Sequence, residues 1–131
     1  MRFCILVFIA VLFAHFSLFA QWTRTNGPNG GMVTSVISMD NILYAGTYGG
    51  GVFRSTDNGS NWEKTGLVKE DIRLFAHDNQ YVYAGGDGIY RSSDKGISWE
   101  EIYSGLRNVH INAIHTNGKY IFIATFGGVY R

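Results

Sequence analysis

The sequence predicts an all-β fold in which one four-stranded antiparallel unit recurs along the chain, and three observations predict it. Apolar residues alternate with period two through residues 21–131, without helical periodicity. Equivalent positions recur at constant spacing, since Ile42, Tyr81 and Tyr120 are evenly separated in the chain. Turn residues separate the apolar runs at hairpin-like intervals. Four short antiparallel strands in a repeat of about 40 residues are typical of a β-propeller blade.

Each repeat is predicted to begin with a hairpin and to continue into two further strands. The first strands are predicted at Val33–Met39, Ile72–His77 and Ile111–Thr116, and the second strands at Ile42–Thr47, 81–86 and 120–125. Third strands are predicted at 52–54, 89–91 and 129–131, and fourth strands begin at Trp62 and Trp99. Turns rich in Asp, Asn and Gly join these runs, which favours antiparallel pairing of sequential strands.

The segment 1–20 differs in composition from the rest of the chain. Arg2 supplies its one charge, the stretch 3–14 lacks any polar group, and Ala20 is a small residue at a plausible cleavage site. This pattern predicts a secretory signal peptide at residues 1–20. The alternative is an uncleaved anchor helix, because the apolar stretch 3–20 approaches the length that spans a bilayer. Cleavage predicts a secreted, periplasmic or cell-surface protein with no stable membrane insertion.

The charge of the mature chain argues against nucleic acid as a partner. Removal of Arg2 leaves ten basic and ten acidic side chains, without the basic surplus that phosphate binding requires. The single cysteine, Cys4, lies in the leader, which excludes disulfides and thiol chemistry from the mature chain. His77, His110 and His115 do not have metal-ligand spacing, so neither a metal nor a cofactor is expected.

The connection between the third and fourth strands contains an octapeptide, S-x-D-x-G-x-x-W, that occurs twice. Its defining residues are Ser55, Asp57, Gly59 and Trp62 in the first copy, and Ser92, Asp94, Gly96 and Trp99 in the second. An Asp in such a turn accepts backbone N–H groups, the Gly supplies a positive φ, and the Trp fills an apolar slot. We call residues 55–62 the first box and residues 92–99 the second box.

The two boxes resemble the Asp-box, or bacterial neuraminidase repeat, of sialidases, sortilin, tandem-propeller xyloglucanases and photosystem II assembly-factor-like proteins. The resemblance covers residues 22–131. It implies that the boxes are structural and lie opposite the ligand face, so the repeat does not by itself imply an activity.

The resemblance places candidate ligand-binding residues on the loops between second and third strands and on the loops entering each blade. These candidates are Tyr48, Asp87, Phe126 and Arg107. Tyr48 occupies the position at which the similar xyloglucanases carry a catalytic Asp, which leaves no carboxylate pair for glycoside hydrolysis. Tyr48 and Phe126 suit stacking on a sugar or peptide, or filling of space near the ring axis. Asp87 fits a tight turn better than an isolated acid or metal ligand.

The repeat boundaries predict an incomplete ring of two to three blades. Blade one is assigned to residues 31–66, blade two to 71–105 and a truncated blade three to 110–131. Residues 22–28 resemble a fourth strand, because Trp22 precedes Trp62 by one repeat length, and we expect this strand to close the ring. We expect the remainder of the propeller to follow Arg131.

These observations favour a secreted, non-catalytic propeller that binds or displays a carbohydrate or protein ligand. The main alternative is the N-terminal part of an extracellular glycoside hydrolase, sialidase-like or xyloglucanase-like, with its catalytic acids downstream. A second alternative is a photosystem-II-assembly-factor-like protein. The residues leave the ligand and the total number of blades open.

Overall fold

The computed structural model describes residues 21–102 and 110–131, which form three antiparallel β-sheets in chain order. The first sheet contains β1 (Val33–Met39), β2 (Ile42–Thr47), β3 (Gly51–Ser55) and β4 (Glu63–Lys64). The second contains β5 (Ile72–His77), β6 (Val82–Gly86), β7 (Ile89–Ser92) and β8 (Glu100–Glu101). The third contains β9 (Ile111–Thr116), β10 (Ile121–Thr125) and β11 (Gly128–Tyr130).

Sequential strands are neighbours in every sheet, so the predicted all-β fold of a partial β-propeller is confirmed. The described residues contain no helix, and thus none long and apolar enough to cross a membrane. The predicted signal peptide at residues 1–20 lies outside the described residues. The β1–β2 hairpin closes over Asp40 and Asn41, whose φ angles of 51° and 61° fit a two-residue turn that follows the strand twist.

The first strand of each sheet carries an irregularity at the same position of the repeat. The register shifts between Val33 and Ser35 in β1 and between Ile72 and Leu74 in β5. The third shift passes over Asn112 of β9, because Ala124 pairs with Ala113 whereas Thr125 pairs with Ile111. Each bulge bends its strand in the same place, which keeps the three sheets structurally equivalent.

The hydrophobic core lies between the sheets. Between the first and second sheets, Tyr44, Val52, Ile72 and Val82 are almost completely buried and form one cluster. A second cluster of Ile89, Ile111 and Ile123 joins the second sheet to the third. Each sheet therefore buries apolar side chains against its neighbour, and this burial is the main stabilising term available to such short strands.

The segment before β1 contains no strand, although residues 22–28 resemble a fourth strand in sequence. A strand requires a hydrogen-bonded neighbour, and no described strand pairs with this segment. Trp22 is completely exposed there. A ring-closing role for residues 22–28 stays a prediction.

The first and second sheets pack closely where Gly46 of β2 meets Ile72 of β5. A Cβ atom on Gly46 would lie 2.7 Å from Ile72 Cγ2 and 3.0 Å from Ile72 O. At the equivalent residue of the second sheet, Gly85, a Cβ atom would lie 3.6 Å from the nearest atom, which is ordinary contact. The two glycines therefore form a matched pair.

We predict that Gly46→Ala lowers the free energy of unfolding by about 1–3 kcal/mol, because the added methyl group overpacks the junction between the sheets. Gly85→Ala should leave this free energy unchanged or raise it slightly, since alanine has less conformational freedom to lose. Urea unfolding followed by tryptophan fluorescence measures both variants. Equal losses of stability in the two variants would show that the junction is not tightly packed.

Candidate functional site

Each box is a hairpin held by its own serine and aspartate. In the first box, Ser55 Oγ accepts the Gly59 N–H at 2.9 Å and donates to Asp57 Oδ1 at 2.8 Å. Asp57 Oδ1 also accepts the Asn61 N–H at 2.8 Å. Gly59 has a φ of +85°, a left-handed conformation that glycine adopts without a side-chain clash. The Trp62 indole N–H donates to Gly59 O at 3.1 Å and closes the hairpin.

The second box repeats this network nearly atom for atom. Ser92 Oγ accepts the Gly96 N–H at 2.8 Å and donates to Asp94 Oδ1 at 2.8 Å. Asp94 accepts both the hydroxyl and the backbone N–H of Ser98. The Ser98 side-chain hydrogen bond, followed by its backbone bond, lowers the pKa of Asp94 to about 2. The Asn61 bonds likewise lower the pKa of Asp57.

The second box also connects the first and second sheets. Its Ile97 carbonyl accepts the Gly66 N–H at 3.1 Å, and its Lys95 carbonyl accepts Arg54 Nη1 at 2.9 Å. Trp99 Nε1 donates to Thr65 Oγ1 at 3.1 Å. These hydrogen bonds give the box a structural role at the junction between the sheets.

The first box is approached by the segment 22–28 at the corresponding positions. Asn26 Nδ2 donates to Ser60 O at 3.3 Å, and Thr25 lies beside Gly59. Thr25 lies one repeat length before Thr65, which is the residue that meets the second box. The two boxes therefore contact equivalent positions of the repeat. The second box contacts a regular sheet, whereas the first box contacts the segment 22–28, which forms no strand.

The predicted ligand residues lie at the opposite end of the sheets, on loops between second and third strands. We call this end the loop face. The side chains of Tyr48 and Phe126 are 59% and 85% exposed there. Phe126 stacks on His110, with ring centroids 5.4 Å apart and planes inclined by 17°. Among the described residues, no hydrogen bond, ion pair or ring contact joins Tyr48, Asp87 and Phe126 to one another. Arg107 lies outside the described residues.

Two carboxylates at the loop face, those of Asp71 and Asp87, have defined partners. Asp87 forms an ion pair of 2.6 Å with Arg73 Nη2 and sits in the two-residue loop between β6 and β7. Asp71 Oδ1 accepts the Gly49 N–H at 2.6 Å. Burial, followed by the charge of Glu70, raises the pKa of Tyr90. These acids hold neighbouring loop and strand residues in place through a hydrogen bond and an ion pair.

Three contacts at the loop face are not predicted by the sequence. Arg73 occupies the bulge of β5 and pairs with Asp87, Asp71 holds the loop of Tyr48, and His110 supports Phe126. Arg73 alternates with apolar neighbours on β5, which predicts that its side chain is exposed. No sequence pattern predicts the bulge that brings Arg73 to Asp87. Asp71 and His110 belong to the segments 69–71 and 107–110, which enter blades two and three and are predicted from the sequence to face a ligand. Their contacts with Gly49 and Phe126 are not predicted from the sequence.

The described residues contain no group of three or more His, Cys, Asp or Glu side chains placed to hold a metal ion. The repeated four-stranded sheets, their equivalent bulges and the box hairpins define a repeat architecture that can be compared with known proteins. A sequence profile of the DUF6242 β-propeller domain matches residues 14–109. The chain belongs to the DUF6242 β-propeller family.

The DUF6242 chain is similar in fold to a solved structure, that of YCF48 from Cyanidioschyzon merolae. The TM-score is 0.70 and the sequence identity is 17%. The match covers 85% of this chain and 37% of YCF48, so the DUF6242 chain spans just over a third of that protein. At this identity the likeness shows the propeller fold alone. No curated protein sequence matches.

We predict that acid weakens the DUF6242 propeller through Asp94. Its folded pKa of about 2 lies below the unfolded value of about 3.9. The ionised carboxylate therefore stabilises the fold above about pH 4, and this contribution is lost as the pH falls through about 2.

Unfolding free energies measured between pH 2 and 7 test this prediction. Asp94→Asn should be less stable at pH 7 and should show a shallower loss of stability on acidification. Ser93→Ala, in the same hairpin but exposed, should keep the slope of the unaltered protein. An identical slope in Asp94→Asn would exclude Asp94 as the titrating group.

Proposed function

We propose that this chain is a secreted, non-catalytic propeller module that binds a carbohydrate or a protein at the loop face. The observation that carries the proposal is the pair of exposed aromatic side chains, Tyr48 and Phe126, on equivalent loops of two blades. Aromatic rings present a large apolar area with little conformational entropy to lose, which suits them to stacking on a sugar ring or an apolar side chain.

The contacts that hold these two aromatic residues favour a binding role over a role in filling space near the ring axis. Tyr48 is held through its backbone N–H, which donates to Met32 O at 2.9 Å, and the following Gly49 is held by Asp71. Phe126 rests on His110. The backbone at Tyr48 and the ring of Phe126 are each held by a neighbouring residue, so a ligand would meet a partly preorganised surface.

The main alternative is an extracellular glycoside hydrolase, sialidase-like or xyloglucanase-like. Such enzymes require two carboxyl groups at the scissile bond, one of which must exchange a proton. Asp87 forms an ion pair with Arg73, and Asp71 accepts a hydrogen bond from the Gly49 N–H. A hydrolase would therefore need catalytic acids other than these. A photosystem-II-assembly-factor-like role rests on the resemblance of the repeats alone.

We predict that a polysaccharide ligand included in a native gel lowers the electrophoretic mobility of the protein. Xyloglucan and sialylated glycans are the first probes. Tyr48→Ala and Phe126→Ala should each weaken the binding by about 3- to 10-fold, the loss expected for one stacked ring. Ile97→Ala is the control, because Ile97 is about as exposed as Tyr48 but lies in the second box at the opposite end of the sheets.

Three results would change the proposal. Retardation that persists in both loop-face variants would move the binding site elsewhere. Absence of retardation by every glycan would exclude the carbohydrate ligand in favour of a protein. Release of reducing sugar from the probes would establish the hydrolase alternative.

A further inference from the structure

Arg73 is used differently from the equivalent residue of the first sheet. The register shift in the first strand of each sheet passes over one residue, which is Thr34 in β1 and Arg73 in β5. The Thr34 hydroxyl is directed into the junction between the sheets, towards the carbonyls of Gly46 and Ile72. Arg73 instead reaches the loop between β6 and β7 and pairs with Asp87 at 2.6 Å. The bulge of the second sheet therefore places a charged pair at the loop face.

Stability does not explain why Arg73 occupies this bulge. Its Nε atom is buried and has no hydrogen-bond partner among residues 21–102 and 110–131. A buried N–H without a partner weakens a fold, and an ion pair with an exposed carboxylate adds little to its stability. The Asp87 side chain is 61% exposed. Departures of this kind from local satisfaction are typical of functional sites.

The charged pair presents hydrogen-bond donors beside an acceptor. Nη2 of Arg73 uses one N–H on Asp87 Oδ1, and the guanidinium has further donors on its two terminal nitrogens. Asp87 Oδ2 has no partner in the part of the chain that the structure describes, and an ionised carboxylate only accepts. Two neighbouring hydroxyl groups match this surface, because each hydroxyl can donate and accept.

The sheet that carries this pair lies between the sheets that carry the exposed rings. Tyr48, Asp87 and Phe126 follow the second strands of the first, second and third sheets, and β5 contacts both β1 and β9. Asp71 connects the Tyr48 loop to the middle sheet through the Gly49 N–H. Sheets packed face to face are about 10 Å apart, so the two rings are separated by roughly 20 Å. An extended polysaccharide can reach both rings, whereas a single sugar cannot.

The charges around the pair disfavour an acidic ligand. The segment 69–73 and Asp87 together contain two basic and three acidic side chains, a formal charge of −1. A carboxylate on the ligand would also have to compete with Asp87 for Arg73. A neutral polysaccharide meets neither cost. It also suits two separate rings better than a protein does, because protein interfaces have a contiguous apolar centre.

We propose that Arg73 and Asp87 form a hydroxyl-recognition site for a neutral polysaccharide whose sugar rings stack on Tyr48 and Phe126. The inference rests on the proposed function, because it assigns the class of ligand at the same loop face. Arg73 donates to one hydroxyl of the ligand, and Asp87 Oδ2 accepts from the neighbouring hydroxyl. A site built to bond hydroxyl groups discriminates strongly against ligands that cannot complete those bonds.

Isothermal titration calorimetry tests the proposal with xyloglucan and galactomannan as neutral probes, and with polysialic acid and polygalacturonate as acidic probes. We expect the neutral probes to bind at least about 10-fold more tightly. Arg73→Lys keeps the charge but loses the planar set of donors, and Asp87→Asn keeps the shape but loses the charge. Each should weaken binding of the neutral probes by about 10-fold. Asp87→Asn should also narrow the preference for neutral over acidic probes.

The matched control is Glu100→Gln, which removes the acid of another ion pair on the second sheet. The side chains of Arg91 and Glu100 are 36% and 60% exposed, against 35% and 61% for Arg73 and Asp87, but they lie at the box end. Glu100→Gln should bind every probe as the unaltered protein does. Melting temperatures identify any variant that does not fold, in which case the other loop-face variant decides.

Unchanged affinity in Arg73→Lys and Asp87→Asn, when Tyr48→Ala weakens binding, would overturn the inference and leave the proposed function standing. Equal or tighter binding of the acidic probes would have the same consequence, as would an equal loss of affinity in Glu100→Gln. If no polysaccharide binds, the inference is wrong and a protein is left as the ligand of the loop face.

Discussion

The structure depends on the contact between the second box and the first sheet. A four-stranded sheet with two-residue outer strands cannot bury both faces alone, so each sheet relies on its neighbour. The second box meets this need with a glycine against Tyr44 and a carbonyl that accepts the Gly66 N–H. Because the internal Ser92–Asp94 network rigidifies the hairpin, the sheets are held at a fixed separation.

The box end and the loop face of the sheets therefore differ in the groups that they present. At the box end, the box aspartates and serines form internal hydrogen bonds, and the second box contacts Arg54, Thr65 and Gly66 of the first blade. At the loop face, Asp71 holds a loop and Asp87 pairs with Arg73. The exposed aromatic rings there have no such polar partner among the described residues. The exposed rings of Tyr48 and Phe126 therefore lie at the loop face, whereas the second box holds the first and second sheets together at the other end.

Much of the fold follows from the spacing of residues. The even recurrence of Ile42, Tyr81 and Tyr120 predicts the sheets, and the predicted first strands match β1, β5 and β9 residue for residue. The bulges could not be predicted, because no residue pattern in the first strands marks where the register shifts. The Arg73–Asp87 pair follows from one such bulge, and the His110–Phe126 stack joins residues from separate loops without any shared motif.

Amide hydrogen exchange tests the central claim most directly. If the second box holds the first and second sheets together, the amides of Gly66 and Gly96 should open with the same free energy as the strand amides of Tyr44 and Tyr83. All four would then belong to one cooperative unit. Exchange of Gly66 and Gly96 through a local opening, while β2 and β6 remain protected, would show that the box is an appendage and would contradict the account.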